Sequence, residues 1–263
     1  MPRRQPTRVP KAVPPACDAG SPGPPKGHLI PDARLIAEYK VCIYASMERF
    51  KRNQIEEAIL RTLDARDARA RALKLRMKRL LVTDRRLGHG KRSDIRPGRG
   101  YAFYSQQPPG SGVEVLFLGY EALALIVAIS LLEHGMPQAT VVRIMRELRP
   151  DLEAAHSATL NKDPKALFDA AAVRRLVQPG MLFVDNADPI FLAIVKCPAP
   201  SADEGQVRAS VAVRPRHEGL ADFLKKYAVP GSAATVSELT TLMHQLDTNL
   251  ARTQPIKRGR STV

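Results

Sequence analysis

The chain has 263 residues, 44% of them apolar, so it has enough apolar residues to bury a core. Lys and Arg number 41 against 26 Asp and Glu, and the resulting net charge of +15 favours polyanionic partners such as nucleic acid or an anionic membrane surface. Aromatic residues make up only 5% and Trp is absent, which argues against a sugar-binding platform and against a module that reads bases by stacking.

The two ends of the chain differ in composition from the rest. Residues 1–29 are rich in Pro, Gly, Arg and Lys and lack apolar periodicity, which predicts a disordered basic arm. Arg3 and Arg4 are followed by prolines rather than by an apolar segment, so a signal peptide is not expected. Residues 252–263 are expected to form a disordered basic tail.

The first ordered segment is predicted to be helical. Apolar residues at helical spacing indicate a helix over 32–50. A second helix is expected over 53–63, because Asn53 with Glu56 three residues later resembles an N-cap and its carboxylate partner.

A third helix is predicted to begin after Asp64 or Asp67, to extend to Arg86 and to stop at Gly88. Its apolar residues fall within one arc of a helical wheel: Ala70, Leu73, Met77, Leu80 and Leu81. The opposite side carries four cations: Arg71, Lys74, Lys78 and Arg79.

Positive charge is concentrated in and just after this helix. The window 66–99 holds 13 Lys or Arg and three Asp, a net charge of +10. Such a patch favours nucleic-acid contact through the four cations of the helix, with Arg96 and Arg99 beyond it. The alternative is that these cations merely solvate a helix face.

The segment after the basic loop is predicted to form a β-hairpin. Tyr101 to Tyr104 is typical of a short strand, 106–112 contains a Pro-Pro-Gly turn, and 113–117 is typical of a returning strand. A hairpin after a basic helix, here Tyr101 to Phe117, is the order expected of a wing.

The next helix, from Tyr120 to Glu133, is apolar nearly all round. A helix without a polar face belongs in a core or at an interface, so a homodimer through this helix is one interpretation. Gly119 and Glu121 interrupt the apolar run, and no membrane span is expected. Glu121 is expected either to be buried with a shifted pKa or simply to favour the helix N-terminus.

Gly135 is expected to end that helix and Pro137 to open another. In the new helix Arg143, Arg146 and Arg149 are predicted to point outward. Pro150 marks an end or a break, and the helix either stops there or continues to Leu160.

The C-terminal third is predicted to be α+β. Strands are expected over 190–195 and 207–213, a short helix over 219–227, and a longer one opened by a Thr235/Glu238 capping box and running to Ala251. Asp185 and Asp188 flank a turn, whose chemistry explains them better than a metal or acid/base role.

No dinucleotide, phosphate-loop, zinc-protease or serine-hydrolase motif is present, so an enzyme is not expected and no cofactor is implied. Cys17, Cys42 and Cys197 lack C-x-x-C spacing, which indicates neither a disulfide scaffold nor a zinc site. His134, beside Gly135, is typical of a helix end rather than of a ligand or base.

Residues 50–148 resemble MerR-like winged-helix regulators. The resemblance lies in Gly100-Tyr101-Ala102-Phe103-Tyr104-Ser105, the apolar helix, and Leu132-Glu133-His134-Gly135-Met136-Pro137-Gln138 before a further helix. The Arg-and-Tyr signature of that family is not evident, and 106–117 is extra. Otherwise the chain is similar to uncharacterised bacterial proteins. The resemblance implies DNA binding.

The sequence therefore predicts a mainly α fold with small β elements, with a winged-helix-like module over 31–150 and a small α+β region over 165–251. The expected function is DNA binding, with DNA favoured over RNA, by a bacterial transcription regulator or accessory factor in the cytoplasm or nucleoid. The alternatives are a non-enzymatic scaffold protein whose basic surface meets an acidic partner and, third, an enzyme of unknown type.

Overall fold

The computed structural model describes residues 48–88, 100–106, 114–176, 182, 184–197 and 209–255, all within one compact unit, Met47–Val263. The basic arm, most of the first predicted helix, the loop with Arg96 and Arg99, and the tail from 256 onward lie outside these residues. What is described is mostly helical with two small antiparallel sheets, which confirms the predicted mainly α class.

Eight helices and five strands are formed by the described residues. The helices are α1 (Arg52–Thr62), α2 (Asp67–Gly88), α3 (Gly119–Glu133), α4 (Gln138–Leu160), α5 (Pro164–Leu167), α6 (Ala170–Leu176), α7 (Arg216–Tyr227) and α8 (Thr240–Ala251). The strands are β1 (Arg49–Lys51), β2 (Leu116–Leu118), β3 (Ile190–Lys196), β4 (Ala209–Pro215) and β5 (Ala233–Glu238).

The apolar helix α3 lies at the centre of the main core. Every residue from Tyr120 to Ile129 is buried, because α1, α2, α4 and α8 all pack around it. Its apolar faces are covered by the chain itself, so they are not available to a second copy and the homodimer interpretation is not supported. The helix ends as predicted at Gly135, whose φ of +77° is a conformation that glycine adopts without strain.

The predicted wing hairpin is not formed. Strand β2 pairs instead with β1, and Phe50 lies opposite Phe117 with both side chains buried. The same pairing overturns the helix predicted to reach Phe50. Residues 101–106 adopt bends rather than a strand, because side chains of α2 and α4 bind their backbone groups.

Helices α1 and α2 have nearly the predicted bounds, but the predicted cap of α1 is wrong. The Lys51 N–H donates to Gln54 Oε1 at 2.9 Å, so the cap lies two residues before Asn53. The Gln54 Nε2 donates to the Thr253 carbonyl at 3.1 Å, and Thr253 is buried. The folded part therefore extends past 252, where the tail was predicted to begin.

Helix α4 runs without interruption through Pro150 to Leu160, which decides the alternative that the sequence left open. Two of its arginines, Arg146 and Arg149, were predicted to point outward and instead bind buried groups of the core. Only Arg143 is exposed as predicted.

The C-terminal sheet has the order β4-β3-β5 and is antiparallel throughout. The central strand β3 is buried on both faces: Leu192 and Ile194 face the main core, and Phe191 and Val195 face α7. The Thr235/Glu238 capping box is wrong, because Thr235 lies in β5. Glu238 instead accepts hydrogen bonds from the N–H groups of Thr240 and Thr241 and so caps α8.

We expect Leu125→Asp to destabilise the fold by roughly 3–5 kcal/mol or more, because it places a carboxylate without a partner in a fully buried site. Urea unfolding followed by circular dichroism measures the change. Val229→Asp is the matched control, since Val229 is 49% exposed and should tolerate the charge. Equal midpoints for both variants would show that α3 is not central to stability.

Candidate nucleic-acid interface

One side of α2 is continuously exposed to solvent, opposite the buried stripe of Leu73, Met77, Leu80 and Asp84. Its residues recur at helical spacing and define what is called here the outer face: Arg71, Leu75, Lys78, Arg79, Val82 and Arg86. Lys74 is exposed at its edge. The structure thus places Arg71, Lys74, Lys78 and Arg79 on the solvent side of α2, where the helical wheel put them.

Within the part of the chain that the structure describes, most cations of α2 have no acidic partner. The helix carries eight Lys or Arg and two Asp, a net charge of +6. Arg76 pairs with Glu133, and Arg85 donates to the Tyr104 hydroxyl. Among the residues that the structure describes, the ion pairs include none of the other six: Arg69, Arg71, Lys74, Lys78, Arg79 and Arg86.

A shallow groove of about 280 Å³ runs along this face beside the start of α4. Gln138 forms its far wall and donates its Nε2 to the Arg79 carbonyl at 3.1 Å, which ties α4 to α2. Leu75 and Val82 line the groove together with Lys78, Arg79 and Arg86. The sequence reasoning missed both aliphatic side chains, although two apolar residues seven apart on a charged helix face were a visible signal.

A buried ion pair holds α2 in this orientation. Asp84 is fully buried, and its Oδ1 accepts from Arg146 Nη2 at 2.7 Å and from Nε at 2.9 Å. Arg146 also donates to the Asp84 carbonyl, at 2.7 Å. The other carboxylate oxygen, Oδ2, accepts the Phe103 N–H at 3.0 Å. One carboxylate therefore joins α2, α4 and the 101–105 segment.

Arg149 fixes the same segment one turn further along α4. Its Nη1 donates to the carbonyls of Tyr101 and Tyr104, and its Nη2 donates to Ser105 Oγ at 3.3 Å. The Tyr101 ring lies against Gly88, since a Cβ on Gly88 would come within 2.2 Å of Tyr101 Cε1. The chain therefore leaves α2 at Gly88 and returns at Tyr101 in nearly the same place.

Glu121 anchors the start of α3 and is almost fully buried. Its Oε2 accepts the Leu118 N–H and its Oε1 accepts the Ser105 hydroxyl, both at 2.8 Å. Burial raises the pKa of Glu121 to about 7, although these hydrogen bonds and the charge of Arg149 oppose the rise. Both expectations from the sequence hold: the residue is buried with a shifted pKa, and it serves the helix N-terminus.

Asp188 and His134, two further candidates from the sequence, have structural roles. Asp188 forms ion pairs with Lys162 and Arg216; burial alone would raise the pKa of Asp188, but these hydrogen bonds outweigh it and hold that pKa below its usual range. His134 Nδ1 lies 2.6 Å from the Ser130 carbonyl at the end of α3. Arg96 and Arg99 lie outside the described residues.

Comparisons with protein families, curated proteins and solved structures find no match to this chain. Among the helices formed by the described residues, none combines the length and apolarity needed to cross a membrane. The outer face of α2 is therefore interpreted from its own chemistry.

We expect Arg146→Met to lower the free energy of unfolding by roughly 3–5 kcal/mol, because it leaves the buried Asp84 carboxylate without its partner. Chemical denaturation measures the loss. Arg143→Met, one turn away on the exposed side of α4, is the control and should change stability by less than about 0.5 kcal/mol. Adding Asp84→Asn to Arg146→Met should recover part of the stability, and a further decrease would contradict this account.

Glu121 predicts an unusual pH dependence of stability. Its pKa is about 7 in the folded protein against an ordinary value of 4.5, so the folded state binds more protons between these values. The stabilisation that results from the raised pKa of Glu121 is fully present below pH 4.5 and is lost as pH rises through 7. Relative to Glu121→Gln, the wild type should lose roughly 2–4 kcal/mol between pH 5 and pH 8. Stability of the wild type that stays constant or rises relative to Glu121→Gln across this range would refute the burial argument.

Proposed function

We propose that this protein binds duplex DNA through the outer face of α2, as a bacterial transcription regulator or accessory DNA-binding factor of the cytoplasm or nucleoid. The observation that carries the proposal is the row of exposed cations without acidic partners among the described residues. Neutralising phosphates with such side chains releases counterions, which supplies most of the affinity for nucleic acid.

The dimensions of the helix suit a duplex. A helix of 22 residues is about 33 Å long, the length of roughly ten base pairs of B-DNA. Because Asp84 and Gln138 attach α2 to α4 at two places, the cations project from a fixed scaffold. A rigid row of charges loses less conformational entropy on binding than a flexible arm does.

A winged-helix-like docking mode, with α2 as the helix that meets the DNA, belongs to this proposal. Since β2 pairs with β1 and residues 101–106 form no strand, the mode relies on α2 rather than on a β wing. Arg96 and Arg99 are proposed to extend the contact from the loop that follows α2.

The decisive variant replaces Arg71, Lys74 and Lys78 with Gln. We expect its melting temperature to stay unchanged, because exposed charges contribute little to stability. Its affinity for DNA should fall, and the slope of log affinity against log salt should drop by about 0.9 for each phosphate that is no longer neutralised. Fluorescence anisotropy with a labelled duplex at several salt concentrations measures both.

Lys165, Arg174 and Lys225 give a matched control, since all three are exposed cations outside α2. Their replacement with Gln removes the same net charge and should lower the slope far less. If both triple variants lose affinity equally, binding reflects net charge alone and α2 is not the interface. If wild type forms no complex at micromolar concentration in low salt, the proposal fails.

A second candidate is an acidic protein partner, and the apolar side chains of Leu75 and Val82 in the groove favour it. A packed protein interface depends far less steeply on salt than phosphate neutralisation does. A shallow salt slope together with a discrete protein partner would favour this candidate.

A further inference from the structure

The outer face of α2 contains two large aliphatic side chains that neither solvation nor phosphate binding requires. Leu75 is 47% exposed and Val82 is 38% exposed. Among the described residues only Leu116, Leu182 and Val229 are other exposed large hydrophobics, and none of them lies on a cationic helix face. An anionic occupant that also presents apolar groups would complement this surface best.

The spacing of the two side chains restricts what they can meet. Seven residues separate them, which is two helical turns and about 10.5 Å along the axis. That length corresponds to about three base steps of about 3.4 Å each. Lys78 and Arg79 lie between them, and Arg71 and Arg86 lie beyond either end.

We propose that α2 lies in the major groove of duplex DNA with Leu75 and Val82 against the C5-methyl groups of two thymines, about three base pairs apart. This inference rests on the proposed function. The major groove is about 12 Å wide and admits a helix, and the thymine methyl is its apolar feature, which the minor groove lacks. The surrounding cations would contact phosphates on either side.

An acidic amphipathic peptide fits this surface less well. Peptide helices dock through several apolar anchors in an apolar groove. Here the groove offers two aliphatic side chains among three cations, whereas the cations that have no ion pair with a described residue include Arg69 at one end of α2 and Arg86 at the other. Positive charge therefore dominates the surface. The two aliphatic side chains form a smaller, local feature that is suited to discriminating between bases.

The test compares three alternating duplexes of equal length that contain adenine with thymine, with deoxyuridine or with 5-bromodeoxyuridine. Deoxyuridine lacks the methyl group, and bromine restores a group of similar size. The wild type should bind the thymine duplex more tightly than the deoxyuridine duplex, by about fourfold for each methyl buried. The bromine-containing duplex should recover the affinity.

The matched variants decide whether α2 makes this discrimination. Leu75→Ala/Val82→Ala should bind the thymine and deoxyuridine duplexes equally, and Val229→Ala should discriminate as the wild type does. Melting temperatures establish that both variants are folded, and each single substitution should remove part of the preference.

The remaining outcomes would overturn the thymine contact, the proposed function or the identity of the partner. Equal wild-type affinity for all three duplexes refutes the thymine contact and leaves DNA binding intact. Discrimination that persists in the double variant places the contact elsewhere and also refutes it. Absence of binding to every duplex refutes the proposed function itself. Binding of a Glu-rich amphipathic peptide instead, abolished in the double variant, would assign the surface to a protein partner.

Discussion

The buried ion pair between Asp84 and Arg146 determines how α2 sits on the rest of the molecule. A fully buried carboxylate is tolerated only where its charge and its lone pairs are satisfied, and here Arg146 and the Phe103 N–H satisfy both oxygens. Asp84, in the last turns of α2, is thereby held inward against α4. With that side fixed, the helix can present only its cationic side to solvent.

The cations of α2 consequently fall into two groups: those with a partner at the packed side of the helix and those on or beside the outer face. Arg76 and Arg85 are engaged by Glu133 and Tyr104 at the margins of the packed side, and Arg66 just before the helix pairs with Asp64. The remaining cations are left on and beside the outer face. The positive charge of this surface therefore does not simply reflect the average composition of the chain. It comes from the α2 cations that the ion pair with Glu133 and the hydrogen bond to Tyr104 do not use.

The sequence predicted α2 and its exposed cations because both follow from local periodicity: apolar residues at a 3.6-residue period show which side is buried. The prediction from the sequence failed where a residue's conformation depends on a partner that lies far away along the chain. Arg146 was placed outside because its own helix gives no hint of Asp84, 62 residues earlier. Likewise Phe117 pairs with Phe50 rather than with the nearby Tyr101 segment, whose backbone is bound by Arg149.

Stability and binding are separable in such an arrangement. Exposed like charges one turn apart on a helix destabilise it by only about 0.2–0.5 kcal/mol per pair, so the row on α2 costs the fold little stability. The interactions that hold α2 against α4 are the Asp84–Arg146 ion pair and the hydrogen bond from Gln138 to the Arg79 backbone carbonyl, and neither uses a cationic side chain of the outer face. If α2 binds DNA as proposed, a substitution on that face should alter the affinity for DNA without altering folding, whereas a substitution at Asp84 or Arg146 should alter both, since it releases the scaffold that keeps the row of charges in register.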